Sequence, residues 1–74
     1  MTRDEHEAAI MALQAKAEAA AADDRLTDVL LITSDVAELI LEHPELWPDD
    51  LDHAKLRTDC ERMLARIDKL LGIT

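Results

Sequence analysis

The sequence predicts an all-α fold: an antiparallel αα-hairpin over residues 26–71 preceded by a helical arm over residues 1–25, in one domain. Three observations carry this. One Gly, two Pro, no Phe and no Tyr leave too few turn and aromatic residues for strands and their connections. Ala and Leu, both strong helix formers, are abundant throughout. Apolar residues recur at spacings of three and four along most of the chain.

The first helix announces itself at Thr2, which with Glu5 fits a capping box, followed by acids where the helix dipole favours them. Ala8 to Ala22 is alanine-rich, with high helix propensity and little side-chain volume. Asp23 and Asp24 could cap a second helix, but no Gly or Pro enforces a break there. A three-and-four spacing runs through Ala12, Ala15, Ala19, Ala22, Leu26, Val29, Thr33, Val36 and Ile40. It predicts one long, coiled-coil-like helix over about residues 3–43, continuous or gently kinked near Asp23.

Residues 26–41 are apolar around most of their circumference, whereas a helix with one neighbour needs a stripe of only about 100°. The surplus predicts a homo-oligomer, dimer or higher, with a bundle-like interface at Leu26, Val29, Leu31, Ile32, Val36, Leu39 and Ile40. The last helix is expected over about residues 49–71, with Pro48 at its start and Gly72 as a left-handed stop. Asp28, Asp35 and Glu42 recur every seven residues on one helix, and Lys55, Arg62 and Lys69 every seven on the other. Folded antiparallel, they pair as Glu42–Lys55, Asp35–Arg62 and Asp28–Lys69, in the register that brings Leu41 to Leu56, Ala37 to Cys60 and Leu30 to Ile67.

A net charge of −9 argues against phosphate-backbone binding and against adsorption to an anionic membrane. One cysteine forms no internal disulfide, and three acids precede any apolar run, which excludes a secretory signal at the start given. The expectation is a cytoplasmic protein of a bacterial or phage-infected cell.

The stretch "EHPELWPDD" gathers both prolines, the single tryptophan and several titratable groups. No His or Cys pair in it has zinc-ligand spacing, and nothing elsewhere pairs a nucleophile with a base, so no metal, cofactor or catalytic residue is expected. Cys60 sits on the apolar seam, where a thiol behaves as a small hydrophobe. Trp47 either lids the hairpin over Leu41, Leu46 or Leu51, or stands exposed as an anchor for a partner. The expected function is non-enzymatic: stoichiometric binding of a protein partner with a basic or apolar surface, as an inhibitor, anti-activator or adaptor. Two alternatives stand beside it, an oligomer that sequesters a small anion such as a cyclic nucleotide, and a structural subunit of an assembly.

Overall fold

The computed structural model describes residues 1–72, which form three α-helices and one short 3₁₀ turn. Helix α1 spans Arg3–Ala22, α2 Leu26–Glu42 and α3 His53–Leu71, with the 3₁₀ turn at Pro44–Leu46. Both α1 and α3 pack on α2, which is the middle helix.

The capping box forms as expected: Glu5 N–H donates to Thr2 Oγ1 and Thr2 N–H donates to Glu5 Oε1, each at 3.2 Å. Hydrogen bonds to the Glu5 carboxylate from Thr2, its side chain first and then its backbone N–H, hold the Glu5 pKa below the usual range.

The long helix over residues 3–43 does not exist. After Ala22 the chain reverses, because Asp24 takes a left-handed conformation with φ of 59°. Arg25 N–H then donates to Ala20 O at 2.9 Å, and Asp24 N–H to Ala21 O at 3.1 Å. That bond pair is a Schellman motif with aspartate where glycine is usual. Aspartate is one of the few side chains that tolerates this conformation, at a cost of roughly 1–2 kcal/mol relative to right-handed backbone. Three carboxylates crowd this reversal, Asp23, Asp24 and Asp28; Arg25 meets Asp23 at 3.6 Å and Asp28 at 3.3 Å. Asp24→Gly removes both the strain and one charge from the negative end of α1. We expect it to stabilise the fold by about 0.5–1 kcal/mol, or a few degrees in Tm by calorimetry.

The arm is therefore a third packed helix. His6 and Ala20 are buried, while Ile10, Leu13 and Ala17 between them are half-buried. The expected stripe of Ala12, Ala15, Ala19 and Ala22 lies on the exposed side. Alanines surround α1, so the frame that continued smoothly into α2 was chosen by a continuity that the chain does not have.

Helix α3 starts four residues later than expected, at His53. Its cap is Asp52, whose Oδ1 accepts from Lys55 N–H at 3.1 Å, and Pro48–Leu51 form a separate turn. At the far end Gly72 takes φ of 75°, the predicted left-handed stop.

The three cross-hairpin ion pairs are absent from the described residues. Asp28 faces α1, in a hollow with Lys16 and Arg25. Lys55 shares a hollow with Asp50, Asp52 and Asp59, and Arg62 one with Asp59 and Arg66, all on α3 or the turn before it. With α1 on one side of α2, the middle helix is rotated away from the phase that a two-helix hairpin would need. The apolar seam is less disturbed: Ala37 and Cys60 are both buried and line one hollow, and Ile40 and Leu56 line the next.

Candidate functional site

The corner between α2 and α3 is built around Trp47. The residues before it make one 3₁₀ turn started by Pro44, and this swings the indole back across the end of α2. Its Nε1–H donates to Ile40 O at 2.7 Å, satisfying one of the carbonyls that a helix end leaves open. The His53 ring stands edge-on to it at 5.3 Å, and the Arg57 guanidinium lies 5.4 Å from its centroid. Only 4% of Trp47 remains exposed. The indole is a lid and cannot be the exposed partner anchor that was its other reading.

Three histidines surround this corner, each spoken for. His53 Nε2 donates to Pro48 O at 2.8 Å, and His6 Nε2 donates to Leu39 O at 3.1 Å. His43 Nδ1 meets Glu45 Oε1 at 3.0 Å, and its ring stands edge-on to His6 at 5.5 Å. The hydrogen bond from His43, helped by the Glu45 backbone N–H, holds the Glu45 carboxyl below its usual pKa. His6 is the residue that sequence reasoning missed. Its signal was present: His6, Leu13 and Ala20 are one heptad apart and mark the face of α1 that is buried. Among the described residues no group of three or more His, Cys, Asp or Glu is placed to hold a metal ion.

The second feature is a groove. Helices α1 and α3 flank α2 and leave one strip of it uncovered between them. One half of the groove, about 250 Å³, is lined by Gln14, Ala17, Val36, Ala37, Cys60 and Met63. The other half, about 500 Å³, continues past Gln14 and Ile40 to Met11, Leu51 and Leu56 over the edge of Trp47. Cys60 lies in its floor; burial, with Asp59 and Glu61 adjacent, pushes its thiol pKa up, so it is a poor nucleophile.

The third feature is the outer face of α2. Asp35, Glu38 and Glu42 are exposed there, and none of them is in an ion pair among the described residues. Leu31, one turn before Asp35 and 46% exposed, borders this side and also lines the hollow towards α1 with Lys16, Ala19 and Ala20.

The expected interface stripe on α2 is thus divided among three surroundings. Leu39 and Ile32 lie towards α1, through His6 and through Ala19 and Ala20. Val36 and Ile40 line the groove, and Leu31 lies outside it. Leu26 is exposed and Val29 half-buried. No helix among the described residues is long and apolar enough to cross a membrane. No protein-family model, no curated protein and no solved structure matches the chain.

Proposed function

We propose that this protein works without chemistry of its own, as a stoichiometric binder of a macromolecule whose surface is basic around an apolar centre. The observation that carries the reading is the outer face of α2, where unpaired Asp35, Glu38 and Glu42 adjoin the half-exposed Leu31. Carboxylates without internal cations raise no desolvation conflict when a basic surface covers them, and they steer its approach. A single exposed leucine among charges supplies the apolar contact that such interfaces place near their centre. An inhibitor, anti-activator or adaptor would use such a face.

The test is recovery of a partner from native lysate in a fixed molar ratio, by wild type and by the triple variant Asp35→Asn, Glu38→Gln, Glu42→Gln. Recovery should fall on the order of tenfold in the variant, given up to about 1 kcal/mol per lost charge pair, and also in high salt. Equal recovery by the variant, at unchanged helicity, overturns the reading.

The rival, sequestration of a small anion, would draw on Arg62 and Arg66. They share an open hollow of about 190 Å³ with Met63 and Asp59, and the Asp59 carboxylate opposes an anion there. A rise in Tm with added cyclic nucleotide would favour this rival. A discrete large assembly with neither property would favour a structural subunit.

A further inference from the structure

The core of one chain is thin. Ala20, Ala37, Trp47, Cys60 and Ile67 are its buried apolar residues, and only Trp47 and Ile67 among them are large. Met11, Leu26, Leu51, Met63 and Leu70 meanwhile stand 45–69% exposed. Domains of this length are marginal even with well-filled cores, and the usual remedies are a disulfide, a metal or a partner chain. Of these, a partner chain is the one that would use the exposed apolar residues.

Met1 and Leu31 apart, these exposed residues fall along one strip. Met11, Leu51 and Met63 line the groove between α1 and α3. Leu70 lies one heptad beyond Met63, and Leu26 one heptad before Thr33, a groove residue, so helical periodicity carries the same strip onward. Leu56, Met63 and Leu70 make an apolar edge of α3 about 21 Å long. Asp59 and Arg66, one on each side of Met63, flank that edge together with Arg62.

We propose that this groove is closed by a second copy of the chain, in a two-fold dimer with the two α3 helices antiparallel across Met63. The axis sets Leu56 opposite Leu70 of the second copy and Met63 opposite its own counterpart. Asp59 then comes within reach of Arg66 of the second copy, and the same contact repeats on the other side of the axis. A patch that carries its own complementary charges, an acid before and a base after the midpoint, is self-complementary in the sense a two-fold interface needs. A foreign helix could enter the same groove, but a face that helps hold the fold together needs an occupant present whenever the chain is. A second copy always is. The outer face of α2 stays free in this dimer, so this inference and the partner-binding reading can fail separately.

Sedimentation equilibrium from about 1 to about 100 μM tests it, because dimer mass is concentration-linked. Wild type should sediment as a dimer, and Met63→Glu, whose side chain is already 45% exposed in the single chain, as a monomer with a lower Tm than the wild-type dimer. Leu31→Glu, on the outer face, should remain a dimer. Asp59→Arg and Arg66→Glu should each weaken the dimer on the order of tenfold, since each removes two symmetric contacts worth up to about fivefold. The double variant Asp59→Arg/Arg66→Glu should recover most of that loss. A wild type monomeric throughout the range, including one that takes up only a foreign apolar helix, overturns the proposal. So does a Met63→Glu dimer, or a double variant no tighter than the singles.

Discussion

Trp47→Ala should unfold most of the protein at room temperature. Replacing a buried tryptophan by alanine costs about 3–5 kcal/mol in a well-packed site. The indole is 4% exposed, closes the end of the groove, and satisfies the Ile40 carbonyl with its Nε1–H. Truncation therefore opens a cavity and also leaves the Ile40 carbonyl with only the long 3.4 Å bond from His43 N–H. Loss of several kcal/mol is comparable to the whole stability of a small domain. Trp47→Phe separates the two contributions: it keeps most of the volume but not the donor, and should cost nearer 1 kcal/mol for the lost hydrogen bond. Urea unfolding followed by circular dichroism gives both values. A Trp47→Ala chain within about 1 kcal/mol of wild type would mean that the indole is not part of the core.

Ala20→Leu should destabilise by about 1–3 kcal/mol, the usual consequence of overpacking a close contact. Ala20 is 1% exposed, and its carbonyl also receives the Arg25 N–H that ends α1. Leucine at this position forces α1 off α2 and disturbs the reversal with it. Ala15→Leu, on the exposed side of the same helix, should change stability by less than about 0.5 kcal/mol. The contrast discriminates between two shapes of molecule. In a chain whose first helix projected as a free arm, both substitutions would be neutral. In the folded-back molecule only one of them is.

The legible parts of this fold are those where a residue type has one structural meaning. Thr2 with Glu5 and Gly72 each allow a single reading, and each does what that reading says. The burial of Ala37 and of Cys60 was legible because each lies on a seam whose other members are mostly large and apolar. Illegible parts are those where several answers cost nearly the same. Asp24 ends a helix in a conformation that glycine ordinarily takes, so the break left no signal in a search for glycine or proline. Alanines around α1 leave its buried side undetermined until His6, Leu13 and Ala20 are weighed together. The charge pattern of Asp28, Asp35 and Glu42 against Lys55, Arg62 and Lys69 suggested a register, but each exposed pair is worth at most about 1 kcal/mol. Packing of α1 against α2 outweighs that and rotates the acids elsewhere. For Trp47 the residue was legible and its direction was not. The choice between lid and anchor depends on one 3₁₀ turn, which Pro44 permits and which only the Ile40 carbonyl rewards.

The single tryptophan also makes the molecule its own optical instrument. With no tyrosine or phenylalanine in the chain, all intrinsic fluorescence comes from one ring, and that ring reports only on the corner between α2 and α3. Far-ultraviolet ellipticity instead counts helix everywhere, including α1, which has no aromatic residue of its own. Melting followed in both channels at once therefore asks whether α1 leaves with the rest or before it. Coincident curves describe one cooperative unit; an early loss of ellipticity at constant emission describes a two-helix remnant that has shed its first helix.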